Sequence, residues 1–498
     1  MFKKKFLSKV LVSIIALSAA SPALGTFACT TVIVGKDATA DGSTVIARNE
    51  DSNPASAKHF VVRKAKDNPA GTIYTSKGNG FKCVLPKHQY KYTATPEWSD
   101  FEGQFEEAGI NEKGVAMSAT ETIGSNAKVM AVDPFVENGI EEDAMETVVL
   151  PYIKSAREGV QRLGDIITKQ GAGEADGIIF SDKNEVWYME IGSGHEWVAR
   201  RVPDNSYAVI ANQTAIEDVD FSDSKDYMYS SDLKSFVENN KLNPDENGKF
   251  IFRDIFGTNN DGDAIGNIPR VWDGQRILSP SQTKDQKVTA KDIPLFRTPD
   301  QKITVEDVGK VLSSHFAGTD YDVTEKDYSK YNYWPINNPT NQESHIIQLR
   351  PNMPDQISGI QWVAMASPET SVYVPFYAGI TTTPKAYQIG TNTPDTKSAF
   401  WTYRMTQVLA TPHYNDFLSK FIQPFQTTVN KQLNDNIVAS DKKALSIYKS
   451  NPSKLTSYLN KEGQKDADYA LREFRKLNNT LIKESTGYLP LYNQKCTN

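Results

Sequence analysis

The stretch C-T-T-V-I-V-G-K-D-A-T-A-D-G-S-T-V-I-A-R-N-E-D, residues 29–51, decides how the rest of the chain is read. Residues 29–34 are rich in β-branched side chains and read as a strand. Residues 35–43 carry Gly, Asp, Thr and Ser, the residues of a turn-rich loop. Residues 44–47 read as a second strand, so the whole predicts a β-hairpin with a long connection. Pairing the strands about the centre of that loop sets Cys29 opposite Arg48. A guanidinium beside a thiol favours the thiolate. Asp51, three residues on, is placed to orient an amine at residue 29.

What precedes this hairpin makes the cysteine notable. Lys3, Lys4 and Lys5 are followed by a short apolar run over 10–20 and then by small residues, the pattern of an exported leader. Ala23-Leu24-Gly25 is a small-x-small cleavage site that would leave Thr26-Phe27-Ala28 for a second cut; cleavage directly after Ala28 is the alternative. Both routes make Cys29 the first residue of the mature chain. A free α-amine titrates near 7.7–8.0, against about 10.4 for lysine. One residue would then supply both nucleophile and general base, with no separate catalytic histidine. Two other readings of Cys29 stand beside this one: an inert buried thiol, and the acylated cysteine of a lipoprotein, which the residues 26–28 fit poorly.

Composition limits the remaining choices. The chain has 498 residues, 39% hydrophobic and 23% charged, with a net charge of −6. It is long enough for a large core with appendages. An acidic balance argues against a nucleic-acid partner, and no run beyond the leader is long and apolar enough to span a membrane. The three cysteines, Cys29, Cys83 and Cys496, leave at least one thiol unpaired. The six histidines are scattered without the H-E-x-x-H spacing of a zinc peptidase, and His195 reads as a strand residue. A homo-oligomer is compatible with all of this.

Further along, 176–181, 185–191, 195–202 and 207–211 read as four consecutive strands of an antiparallel meander. Trp187, Tyr188 and Trp197 within it are expected in the core and in cross-strand pairs. A helix over 155–170 precedes them, with Val160, Leu163, Ile166 and Ile167 on one face and Gly171 as its stop. Residues 257–266 read as a loop without a calcium-binding pattern. From about 400 the segments 403–409, 417–432 and 466–482 read as helices. The expected organisation is a leader over 1–28, an α+β catalytic domain over 29–400 and a helical region over 401–498.

A-C-T-T-V-I-V-G with D-G-S-T-V-I-A-R-N-E-D resembles the start of the bacterial dipeptidase A family. These are cysteine N-terminal-nucleophile hydrolases related to penicillin V acylase and bile salt hydrolase. The resemblance continues through G-V-A-M-S-A-T-E-T (114–122), D-P-F-V-E-N-G-I-E-E (133–142), V-W-Y-M-E-I-G-S-G-H-E-W-V-A-R (186–200) and V-Y-V-P-F-Y-A-G (372–379), about residues 29–390 in all. It implies an αββα four-layer sandwich, hydrolysis of dipeptides, and no metal or other cofactor. It assigns Cys29 as nucleophile and Arg48 and Asp51 as its supporting element. Asn212, in V-I-A-N-Q, matches the asparagine that related acylases place in the oxyanion hole. A second arginine is expected from I-P-R-V-W-D-G-Q-R, where Arg270 and Arg276 are both candidates. The chain departs from family members with very short pro-segments in carrying a full leader, which leaves the processing route open. Related amidases acting on other amides, and a surface-anchored binding lipoprotein, are the alternative functions.

Overall fold

Alternation along the first two strands builds the centre of the molecule. In β1 (Thr30–Val34) and β2 (Thr44–Asp51), Val32, Val34, Val45 and Ala47 point to one face, and Ile33 and Ile46 to the other. Both faces are buried, so neither strand shows the polar alternation of a half-exposed sheet. The computed structural model describes residues 29–99, 101, 103–258, 260–324, 333–489 and 494–495. The leader over 1–28 and Cys496 lie outside the described residues.

Two six-stranded antiparallel sheets carry the fold. The other strands are β3 (Ala108–Ile110), β4 (Ala116–Thr122), β5 (Asp176–Ser181), β6 (Val186–Ile191), β7 (Trp197–Arg201), β8 (Tyr207–Ile210), β9 (Tyr227–Tyr229), β10 (Asn341–Leu349), β11 (Gly359–Met365) and β12 (Val374–Tyr377). The first sheet runs β8-β1-β2-β10-β11-β12 and the second β9-β7-β6-β5-β4-β3.

Ile33, Ile46 and Ile347 of the first sheet share one core with Ile179, Tyr188 and Val198 of the second. On the far side of the second sheet, Phe180, Trp187 and Met189 pack on α1 (Glu142–Val149) and α2 (Ala156–Gln170). The far side of the first sheet is covered by α3 (Ile268–Leu278), α4 (Val305–Leu312) and three C-terminal helices. These are α5 (Ala399–Ala410), α6 (Gln423–Ser450) and α7 (Leu455–Ser485). Val429, Leu433, Leu471 and Phe474 of these helices join Val32 and Val363 in a single cluster.

Several sequence expectations need correcting. The meander has three members: β5, β6 and β7 pair in order, but β8 crosses to the edge of the first sheet and pairs with β1. Its apolar run satisfies either sheet, and only the long-range partner decides. The hairpin register also differs by two residues. Arg48 pairs with Thr31 and Asn49 with Thr30, so Cys29 lies beyond the paired region. A shift of two leaves the facing of every side chain unchanged. Part of the 257–266 loop is helical, a wide turn over Asp263–Asn267 that feeds α3. The helix over 155–170 is present, capped by the Ser155 side chain and stopped at Gly171, whose φ of 84° suits glycine.

Candidate active site

The described chain enters the first sheet at Cys29, whose side chain is only 8% exposed. Arg48 reaches it from β2: Nη1 lies 3.8 Å from Cys29 Sγ. The opposite register pairing does not prevent this, because a long arginine spans the diagonal between neighbouring strands. The same guanidinium is held in place by Glu107 (2.5 Å), the Ala119 carbonyl oxygen (2.8 Å) and Glu142 (3.7 Å).

A second guanidinium approaches from α3. Arg270 donates through Nη1 to the Cys29 carbonyl oxygen and to Thr30 Oγ1 (2.9 Å). Through Nη2 it donates to Asn212 Oδ1 (2.8 Å) and Asn267 Oδ1 (2.7 Å). Asn212, just past β8, therefore has its amide oxygen committed, and its buried Nδ2 has no partner among the described residues. Of the two candidate arginines, the structure brings Arg270 to Cys29 and takes Arg276 elsewhere. Six residues apart on a helix of about 100° per residue, they point in different directions. Arg276 binds Asp273 (2.7 Å) and the Ala317 carbonyl oxygen (3.0 Å), beside a separate cavity against α4 and α6.

Asp51 closes the site from the end of β2. It accepts from Asn338 Nδ2 (2.6 Å) and from Asn341 Nδ2. Burial pushes its carboxyl up to about 7, against the pull of Asn338, Arg270, Asn341 and Arg48. Burial also pushes the Cys29 thiol well up; Arg48 pulls it down, while Glu121, Asp51 and Glu142 push it further up. A thiol so placed stays protonated until a base takes its proton.

Apart from Asp51, sequence reasoning missed the carboxylates around this centre. Glu121 accepts from Thr31 Oγ1 across the sheet interface (2.6 Å), although its neighbour by two, Ala119, packs on the outer face. A register shift between Ala119 and Glu121 accounts for this: the extra residue turns the following side chain over. Burial pushes Glu121 up to about 7, against Arg48, Thr31 and Arg270. Lys58, fully buried, pairs with Glu50 (2.5 Å), Glu107 (3.2 Å) and Glu97 (3.3 Å). The one available signal was Glu121 beside the end of the block 114–122, a charged residue in a run that reads as a strand; Glu142 gives none, since an acidic residue suits the first turn of a helix. Cys83 has a free thiol away from the site. Trp187 and Tyr188 lie in the core, on opposite faces of β6.

A buried cysteine with one guanidinium at its sulfur and a second at its carbonyl oxygen, the second also holding an asparagine amide, is an arrangement chemically suited to acyl transfer. The chain is an enzyme of the peptidase class. More narrowly, the chain belongs to peptidase family C69, whose family model matches residues 28–427. It is 43% identical over 420 residues to the "Probable dipeptidase" of Latilactobacillus sakei, covering 83% of this chain and 87% of that one. It is 37% identical over 468 residues to the "Probable dipeptidase A" of Streptococcus pyogenes serotype M3 (strain SSI-1), covering 93% and 98%. It is 39% identical over 414 residues to the "Dipeptidase" of Bifidobacterium longum, covering 77% of each.

Proposed function

We propose that this peptidase hydrolyses dipeptides through a thioester on Cys29, exposed as the first residue after removal of residues 1–28. The observation that carries this reading is the convergence on one residue of Arg48, at the sulfur, and of Arg270 with Asn212, at the backbone. The Cys29 α-amine, a type of group whose ordinary pKa is about 7.7–8.0, takes the thiol proton. Arg48 favours the resulting thiolate. Sulfur attacks the scissile carbonyl, and the developing oxyanion is received by Asn212 Nδ2, which Arg270 orients by holding Oδ1. The ammonium returns its proton to the leaving amine. Water then cleaves the thioester, the α-amine again taking the proton, and releases the second amino acid. Asp51 orients the α-ammonium. No step needs a metal or other cofactor.

The layers support the N-terminal-nucleophile reading of the fold: helices, sheet, sheet and helices follow one another as an αββα sandwich would require. The leader supports export, to the cell surface or the medium. Burial of Cys29 weighs against its use as a lipid anchor. Mass determination of the mature N-terminus, together with dipeptide turnover by wild type and Cys29→Ala, tests the proposal. A chain beginning at unmodified Cys29, active only with its sulfur, is expected. Full activity in the Cys29→Ala variant, or a diacylglyceryl adduct on the residue, would defeat it.

A further inference from the structure

The run D-A-I-G-N-I-P-R, residues 263–270, leads into α3 and ends on the arginine that meets Cys29. Pro269 has no N–H to give to the carbonyl four residues back, and the Ile265 carbonyl accepts instead from Trp334 N (3.3 Å). Over Asp263–Asn267 the backbone takes a wide turn, closed by Ile268 N on the Asp263 carbonyl five residues back. Single wide turns of this kind recur at functional sites. Asp263, Asn267 and Arg270 follow one another at spacings of four and three, so their side chains meet along one face.

Asn267, the middle member, is buried. Its Oδ1 accepts from Arg270 Nη2 (2.7 Å), and its Nδ2 donates to Asp263 Oδ1 (2.7 Å) and to the Asn212 carbonyl oxygen (2.9 Å). Both amide hydrogens and the amide oxygen are engaged. Only one orientation satisfies them, since a flipped amide would turn its N–H toward the guanidinium and its oxygen toward the carboxylate. Asp263 is anchored in turn, its Oδ2 accepting from Thr258 Oγ1 (3.1 Å) and Asn260 N (2.9 Å). Asn212 needs such a hold. The ladder with β1 ends at Ile210, and Gln213 N donates to the Ala211 carbonyl (2.7 Å), which sets Asn212 at the apex of a tight turn. Arg270 fixes its side-chain oxygen and Asn267 its main-chain oxygen, and these two anchors are bonded to each other. The side-chain atom left over is Nδ2, the donor assigned above to the oxyanion.

We propose that Asn267 is a positioning residue of this enzyme, tying the main chain of Asn212 and the guanidinium of Arg270 into one unit that aims Asn212 Nδ2 at the oxyanion. It touches no reacting atom and acts through Asn212. The inference rests on the dipeptidase reading and, within it, on the oxyanion role of Asn212. The oxyanion develops only in the transition state, so loss of the hold falls on kcat and spares KM. A displacement of about 1 Å at such a donor costs up to about 10²-fold in rate.

The mature enzyme and its variants should be assayed on alanyl-alanine. Asn267→Ala is expected to lower kcat about 10- to 100-fold with KM within about 3-fold of wild type. Asn267→Asp keeps the volume and an oxygen for Arg270 but loses the Nδ2 donor, and should fall in the same way; it takes the place of Asn267→Ala if that variant does not fold. A double-mutant cycle separates positioning from general support. In an Asn212→Ala background, the Asn267 substitution should cost less than about 3-fold further, because the group it aims is gone. Losses that multiply in the double variant would overturn the proposal, as would an unchanged kcat, a loss carried by KM, or failure of both Asn267 variants to fold. Full kcat in Asn212→Ala would strike the oxyanion role and this inference with it. Failure of wild type to cleave alanyl-alanine, or activity in Cys29→Ala, would instead strike the dipeptidase reading itself.

Discussion

Arg48 pairs across the hairpin with Thr31, yet its Nη1 stands 3.8 Å from the sulfur of Cys29, two residues away on the neighbouring strand. The ladder fixes the base of the side chain, and Glu107 and the Ala119 carbonyl fix its tip. The guanidinium is therefore held from both ends against a thiol that burial alone would keep neutral.

If Arg48 sustains the thiolate, Arg48→Gln should move the pH midpoint of Cys29 alkylation by iodoacetamide upward by about one to three units. Lys58 remains to pair with Glu107, which favours folding of the variant. An unmoved alkylation profile would show that the guanidinium serves structure only.

Asn212→Asp keeps an oxygen for Arg270 but removes the Nδ2 donor. Its kcat on dipeptides should fall about 10²–10³-fold with KM nearly unchanged, the pattern of a lost oxyanion donor. Steady-state kinetics check this, and a fall confined to KM would reassign Asn212 to ground-state binding.

Arg270 and Arg276 should separate cleanly. Arg270→Ala removes the donor to Cys29 and Asn212 and should abolish turnover. Arg276→Ala leaves the fully buried Asp273 short of its cation and should cost about 3–5 kcal/mol of stability. Its kcat at a temperature where it remains folded should stay within about 3-fold of wild type. Denaturant unfolding and turnover measured together distinguish the two outcomes.

Glu121 carries a pH signature. Its carboxyl is raised to about 7 in the folded state, so the fold binds a proton that the unfolded chain has released. That contribution is complete below about pH 4.5 and is lost as pH rises through 7, on the order of 3 kcal/mol. Glu121→Gln, which retains an acceptor for Thr31, should flatten the decline of Tm between pH 4.5 and 7.5. An unchanged slope would mean that Glu121 is ionised across the range.

The C-terminal helices pack on the β11 and β12 edge of the first sheet, so a chain ending at residue 398 would expose Val363 and Phe376. Such a truncation bares the outer strands of that sheet and is expected to be insoluble or partly unfolded. A soluble, active product would show that the helices are an accessory to the fold.

Read by itself, the chain settled what depends on local pattern. β-Branched runs marked β1 and β2, helical spacing with Ser155 and Gly171 bounded α2, and short turns placed β5 to β7 in order. The place of Cys29 at the head of a strand, with Arg48 and Asp51 near it, was read from the hairpin pattern, whereas Asn212 came from the family resemblance. Tertiary structure alone decided that β8 leaves its neighbours for β1, that Arg270 rather than Arg276 meets Cys29, and that a bulge turns Glu121 inward. It alone gathered Glu50, Glu97, Glu107 and Glu142 into one wall of the cavity at Cys29. The physical reason is the same in each case. Periodicity and turn chemistry are properties of neighbouring residues, whereas a partner tens or hundreds of positions away leaves no mark on the local run, and its identity emerges only when two sheets close on each other.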